Sequence, residues 1–491
     1  MLFNSYGYFL FLLLVVPACR LTAGRLRLRI LTLASVAFYA MWRIDFTFLM
    51  LFSALVDFVA ALRIGASGSP SRRRAWLVAS LSIQLGLLAF FKYTYFTADT
   101  VRAAAGALGH PLPSLQELGV TIILPLGISF YTFQTMSYVI DVYRGVAAPI
   151  REVDRYVAFV CFWPQLIAGP ILRADELAGQ LVTPHPVGPA SDAYGLGRLL
   201  VGLFKKVVLA DNLAGWVDPI FAAPPSSLAA TDVWAGGILF GFQIYFDFSG
   251  YSDMAVGAAR LMGVGIPENF HWPYLATSPR DFWKRWHISL SSWVRDYLYL
   301  PLTGQAYRVR AGEIRSEGGL AVAAREGENR RTGALFLTWF LMGLWHGAGW
   351  NYAAWGLYHA AWIWIYRRFG ALQRLADRRP GPAWALAFPV AMAGWIPFRA
   401  QSLEQAAALF GRLADPRNYD LSARTVYGPV YLAGLLLIAG TPAAGRLRRI
   451  WDSGKGPGWL RAAVVGAGTA AMTVLVLVYL KPVKQFIYFQ F

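Results

Sequence analysis

Arg280-Asp281-Phe282-Trp283-Lys284-Arg285-Trp286-His287-Ile288-Ser289-Leu290-Ser291 opens the stretch that decides the fold of this chain. Gly343-Leu344-Trp345-His346-Gly347-Ala348 and Trp355-Gly356-Leu357-Tyr358-His359 close it. Three of the six histidines lie here, two of them directly after a tryptophan. In the first block Phe282, Trp283, Trp286, Leu290, Trp293 and Tyr297 recur at three- and four-residue steps, while Lys284, His287, Ser291 and Arg295 step along another face. Asp281 and Arg285 can pair at i,i+4. The pattern predicts an amphipathic helix over 281–302, too charged to face lipid, that lies at an interface or re-enters a helical bundle. The second block sits in a nearly uncharged run from Ala334 to Tyr366, followed by Arg367 and Arg368. A membrane span needs roughly 20 residues, so this run is too long for one and suits two short passes, bent at Gly343, Gly347 and Gly349. Arg330 and Arg331 precede the run, and His346 then lies about 20 Å along a helix from that basic end, at about 1.5 Å per residue. An ionisable side chain at that depth is costly, which makes it a functional candidate.

The composition agrees with a membrane setting. Of 491 residues, 57% are hydrophobic and 15% charged, against about 25% charged in soluble domains. The mean hydropathy is +0.44. The expectation is an all-α polytopic membrane protein whose 24 Tyr and 19 Trp supply interfacial belts and an aromatic-lined cavity. The net charge of +18 would suggest nucleic acid in a soluble chain. Here no basic stretch is long enough to form a domain, and basic cytoplasmic loops account for the excess. Cys19 and Cys161 both lie in apolar stretches, so neither a disulfide framework nor a cysteine metal site is expected. No Lys or Arg precedes Cys19, so residues 1–19 read as a retained span rather than a signal segment.

Further spans are expected up to about Trp42, over Phe46–Leu62, Ala75–Phe91 and Leu118–Ile140, and within Trp384–Trp395, Val430–Ala439 and Ala462–Leu480. Arg20, Arg25, Arg27 and Arg29 follow the first span, Arg43 the second, and Arg63, Arg72, Arg73 and Arg74 the third. Lys92 and Arg102 follow the fourth. This alternation places the N-terminus outside and the first and third loops in the cytoplasm. Trp163-Pro164-Gln165 and Gly169-Pro170 break the helix expected over Val157–Leu172. Lys205, Lys206, Asp211 and Asn212 interrupt Leu199–Trp216, which suggests a helix near an interface. In Val233–Met262, Gly237 and Gly241 are spaced for close helix contact. Asp247 and Asp253 near membrane depth are open to two readings, a polar cavity wall or structural salt bridges. Residues 303–331 form a charged loop with six arginines.

No Gly-x-Ser-x-Gly elbow, Walker loop or His-Glu-x-x-His is present, so no soluble-hydrolase, nucleotide or zinc motif competes. From the residues alone, His346 and His287 are open both to a catalytic reading and to that of buried histidines bonded to a carbonyl. His359, 13 residues after His346, reads as structural, and His110, His185 and His271 as loop residues.

The paired histidine blocks resemble those of the membrane-bound O-acyltransferase (MBOAT) family, in particular its alginate-type, polysaccharide-acetylating branch. The resemblance extends to Pro125–Gln134, Pro164–Pro170, Asp247–Ala255 and the final Phe486–Phe491. It departs after Pro301-Leu302, where Thr303-Gly304-Gln305 leads into a longer charged insert. It implies a single membrane-embedded domain over 1–491, with roughly 11 transmembrane helices plus re-entrant or interfacial helices around a central tunnel. His346 falls on the family's invariant histidine and His287 on its second active-site position. The implied activity is transfer of an acetyl group from a cytoplasmic thioester, acetyl-CoA or an acyl carrier protein, for O-acetylation of a secreted polysaccharide. A periplasmic or membrane-anchored acetyltransferase partner would complete the transfer. The implied location is the bacterial inner membrane, among its lipids, with no metal and no nucleic acid. A lipid or glycan transporter without acyl-transfer chemistry is the alternative; the two histidine blocks argue against it.

The basic flanks carry a topological prediction. Single cysteines replacing Gly318 and Arg368 should react with an impermeant thiol reagent only from the cytoplasmic side. Labelling of the Gly318 position from outside would overturn the hairpin placement of His346.

Overall fold

The computed structural model describes residues 3–305, 326–420, 458–480 and 487. Among them the secondary structure is entirely helical. Four helices are long and apolar enough to cross a membrane: Ile44–Ala66, Pro70–Ala107, Pro380–Arg399 and Ala462–Tyr479. The expected span within Val430–Ala439, most of the 303–331 loop, and the final aromatic motif apart from Ile487 lie outside the described residues. The end of the charged stretch, Glu326–Arg331, is helical and opens the Glu326–His346 helix. The chain forms two compact units. One is built mainly on the chain before Gly197 with Ala255–Pro267, the other on Gly197–Met254 and most of the chain from Glu268 onward.

In the first unit, helices Tyr6–Arg20, Gly24–Ala40 and Ile44–Ala66 lie where spans were expected, and of these Ile44–Ala66 is long and apolar enough to cross a membrane; Arg25, Arg27 and Arg29, expected in the first loop, fall inside the second helix. The fourth does not stop near Phe91. Lys92 lies in a wide helical turn, Ala89–Tyr93, and the helix runs on to Ala107. The reason is local: a lysine does not break a helix, and the next glycine after Gly86 is Gly106. The span expected from Leu118 instead becomes helical only at Ile128. Pro125 lacks an N–H and Gly127 has φ +73, which only glycine adopts cheaply, so the helix begins after them. The expected break near Pro164 falls at Phe162, between Val153–Cys161 and Trp163–Leu166.

Two polar devices hold this unit together. Asp57 is fully buried; its carboxylate accepts from Ser80 Oγ at 2.5 Å and Gln84 Nε2 at 2.9 Å. Gln84 also takes the Ser53 hydroxyl at 2.7 Å, so Ile44–Ala66 and Pro70–Leu88 share one closed network. Arg27, counted from the sequence as a loop charge, is buried in the Gly24–Ala40 helix and donates to Leu181 O at 2.7 Å and Met262 O at 2.6 Å. It caps the carbonyl-rich end of the Ala230–Leu261 helix, where a cation is favoured.

The second unit opens at Gly197 within the helix Pro189–Leu203, which the wide turn Phe204–Ala210 and Asp211–Ala222 follow without a break. The lysine and aspartates that interrupt this apolar stretch are held within the fold, and Lys206 is only 1% exposed. Lys206 Nζ lies 2.7 Å from Asp247 and 2.9 Å from Asp211, and Lys205 Nζ 2.6 Å from Asp253. Between these pairs the backbones meet: a Cβ on Gly250 would lie 2.8 Å from the Gly202 carbonyl oxygen. The two aspartates are therefore structural ion-pair partners, and Asp247 also accepts the Ile487 N–H at 2.8 Å. Gly237 and Gly241 do make the close contact expected of them, against Met392, Trp395 and Ile396 of Pro380–Arg399.

Removing one member of a buried pair strands the other charge, at about 3–5 kcal/mol, whereas replacing both with apolar residues is often neutral. Lys206→Met should therefore lower the thermal midpoint of the detergent-solubilised protein more than Lys206→Met/Asp247→Leu does. Additive losses in the double variant would contradict the pairing.

Candidate active site

The Glu326–His346 and Trp350–Arg368 helices form the hairpin expected from the apolar run, and His346 is the last residue of its first arm. The arms cross without side chains between them. A Cβ on Gly356 would overlap the Trp339 carbonyl oxygen, and one on Gly343 would overlap that of Tyr352. Asn351 Nδ2 ties the start of the second arm to the Trp395–Arg399 helix, donating to Ala400 O at 2.9 Å and Pro397 O at 3.3 Å. His346 is thereby set against rigid aromatic neighbours. Its ring centroid is 4.9 Å from Trp345, 4.9 Å from Trp355 and 5.4 Å from Phe398.

The helix expected over 281–302 is instead broken at His287. Pro279–Arg285 ends, His287 adopts φ +42, and Ile288–Val294 begins, followed by a wide turn at Arg295–Tyr299. A left-handed backbone at a residue other than glycine is strained and needs outside support. Residues 269–271 supply it: Asn269 O accepts the Ile288 N–H at 3.0 Å, and His271 N–H donates to Arg285 O at 2.9 Å. The break ends the continuous polar face read from Lys284 to Arg295. The expected Asp281–Arg285 pair is present at 2.7 Å. His287 is fully buried, with Phe248 edge-on at 4.7 Å and Phe270 nearly parallel at 6.4 Å.

A continuous run of rings links the two motifs. Trp286 lies 4.7 Å from Trp395, Trp395 stacks on Trp355 at 6.4 Å, and Trp355 meets His346. His359 also joins this run. Its ring is 4.8 Å from Trp355 and 5.0 Å from Trp283, so Trp355 is flanked by His346 and His359. Spacing alone had not placed His359 there. The indole N–H groups of Trp283, Trp355, Trp362 and Trp395 are buried with no hydrogen-bond partner among the described residues. His110, His185 and His271 are loop residues, as expected. No cluster of three or more His, Cys, Asp or Glu suited to a metal occurs among the described residues. Asn269 and Trp395 escaped the sequence reading; a loop asparagine and one more tryptophan in an aromatic-rich chain carry no signal of their own.

A helical membrane protein with two buried histidine motifs on one aromatic wall is the architecture at hand, and comparison with known proteins gives it a family. Residues 154–316, which include His287, match the model of MBOAT, the membrane-bound O-acyltransferase family. A Pseudomonas putida protein named "Probable alginate O-acetylase AlgI" is 38% identical over 428 residues, 86% of this chain and 82% of its own. Its Pseudomonas syringae pv. tomato namesake is 37% identical over 472 residues, 93% of this chain and 84% of its own. The peptidoglycan O-acetyltransferase of Helicobacter pylori is 34% identical over 404 residues, 77% of this chain and 71% of its own. The chain belongs to the membrane-bound O-acyltransferase family and is an acyltransferase.

The glycine crossing generates a test. Displacing a catalytic group by about 1 Å can cost about 10²-fold, and overpacking costs about 1–3 kcal/mol. Gly356→Ala should therefore lower acyl transfer by roughly a hundredfold. Gly381→Ala, at a position with no atom near its added Cβ, should leave it unchanged. Equal activity of the two variants would show that the crossing does not position His346.

Proposed function

We propose that this protein takes an acetyl group from a cytoplasmic thioester and delivers it for O-acetylation of an extracytoplasmic polysaccharide of the alginate type. The observation that carries the reading is His346 at the end of a helix, held in an aromatic pocket by a backbone crossing, in a chain whose relatives are named as O-acetylating proteins. Acetyl-CoA is favoured over an acyl carrier protein as donor, because the nearer resemblance is to the polysaccharide-acetylating branch. The setting is the bacterial inner membrane, with roughly eleven spans over one functional domain and a tunnel leading to His346.

A hydroxyl is a weak nucleophile until a base takes its proton. His346 accepts that proton as the hydroxyl oxygen bonds to the thioester carbonyl carbon. The carbon–sulfur bond then breaks, and the leaving thiolate takes the proton back from the imidazolium. A positioned base contributes about 10²–10⁴-fold. The buried indole N–H groups are donors suited to charge developing on the carbonyl oxygen. His287 either hydrogen-bonds the thioester carbonyl or orients the acceptor. A polymer is too large to reach a buried histidine, so a relay is proposed. This chain exports the acetyl group, and a periplasmic or membrane-anchored transferase places it on the polysaccharide.

Three substitutions test the assignment. His346→Ala should abolish transfer while the protein still accumulates in the membrane. His287→Ala should leave residual activity, and His359→Ala should cost less than either. Normal transfer by His346→Ala would remove this mechanism. Deleting the gene should strip O-acetyl esters from a secreted polysaccharide without stopping its synthesis. Purified protein with acetyl-CoA should acetylate that polymer poorly until the partner is added. Efficient acetylation by this protein alone would sink the relay.

A further inference from the structure

Asn269 lies in the loop between the Ala230–Leu261 and Pro279–Arg285 helices and is 1% exposed. Its side-chain oxygen accepts the Ser289 N–H at 3.1 Å and the Ser289 hydroxyl at 2.9 Å, and the same oxygen lies 3.2 Å from His287 Nδ1. The oxygen and nitrogen of an amide are told apart by their partners. Here the Ser289 backbone N–H decides, because it can only donate, so the atom facing it is the oxygen. That oxygen has no hydrogen to give, and the proton shared with His287 therefore sits on Nδ1. Burial draws the imidazole pKa down, to about 3, so the ring is neutral near pH 7. A neutral ring protonated at Nδ1 carries its lone pair on Nε2.

We propose that Asn269 is a positioning residue that fixes His287 as the Nδ1–H tautomer, so that Nε2 presents an acceptor to the acyl acceptor and does not polarise the thioester carbonyl. This rests on the acyl-transfer reading above and decides between the two roles left there for His287. The reacting hydroxyl has one proton, which goes to His346. The hydrogen bond to His287 therefore comes from a second donor group, a hydroxyl or an N–H, on the molecule that takes the acetyl group from this chain. The Asn269 backbone carbonyl, bonded to Ile288 N–H, holds the left-handed turn and would survive a side-chain substitution.

The test is a double-mutant cycle on the purified protein with its partner transferase, the polymer and radiolabelled acetyl-CoA. Asn269→Leu should lower kcat by roughly tenfold to a hundredfold, with the KM for acetyl-CoA unchanged. Asn269→Asp, which keeps the acceptor oxygen, should retain most of the activity. On a His287→Ala background, Asn269→Leu should cost nothing further, because it acts through that ring. An equal loss on both backgrounds, or a matching rise in the acetyl-CoA KM, would overturn the proposal. A second readout does not depend on turnover: the nitrogen NMR spectrum of ¹⁵N-histidine-labelled wild-type protein in nanodiscs. The resonance pair lost in His287→Ala should show a protonated Nδ1 and a bare Nε2, and the opposite tautomer would overturn the assignment. Wild-type protein that transfers no acetyl group would sink the acyl-transfer reading, while the spectrum would still decide the tautomer.

Discussion

The proposed active centre depends on a backbone crossing. At Gly343 and Gly356 the two arms of the histidine hairpin approach so closely that neither position has room for a Cβ. Close packing of this kind suits a lipid setting, where helices gain little from burying apolar surface and rely on van der Waals contact through small residues. It also has a chemical consequence. A helix end fixed by backbone contact wanders less than one held by long side chains, and His346 is the last residue of such an arm. The rings of Trp345, Trp355 and Phe398 then leave the imidazole few orientations.

The second histidine is held by the opposite strategy. His287 sits on a strained left-handed residue at a helix break, and the strain is supported by hydrogen bonds from a distant loop. Strain of about 1–3 kcal/mol persists only where its surroundings over-determine it, and such places cluster at functional sites. A helix continuing through His287 would present its imidazole on the same face as Lys284 and Arg295. The break aims it instead at Phe248 and Asn269. One centre thus combines a rigid helix terminus with a supported kink, joined by the rings of Trp286, Trp395 and Trp355.

Much of this was legible in the sequence, for identifiable reasons. Largely apolar runs marked the Ile44–Ala66 and Pro380–Arg399 helices, and glycine clusters marked the bend after His346. Failures fell where tertiary contacts override local pattern. The three-and-four-residue spacing of Phe282 to Tyr297 is that of a single helix, and nothing within it reveals that Asn269, 18 residues before His287, captures the backbone there. The pairing of Lys206 was not legible because its partner Asp247 is 41 residues away. Arg27 looked like a loop charge because the carbonyls it caps belong to residues 181 and 262. Lys92, which follows the apolar run Ala75–Phe91, lies within a helix that continues to Ala107.

The central claim is that the acyl group meets its acceptor at His346 within this aromatic pocket. The most direct measurement is a structure of the protein with an acetyl-CoA analogue whose thioester sulfur is replaced to prevent turnover. The account predicts the acetyl carbonyl within hydrogen-bonding reach of His346, or one water away, with His287 Nε2 turned toward the acceptor side. An acetyl group seated away from His346, outside the rings of Trp355 and Phe398, would contradict it.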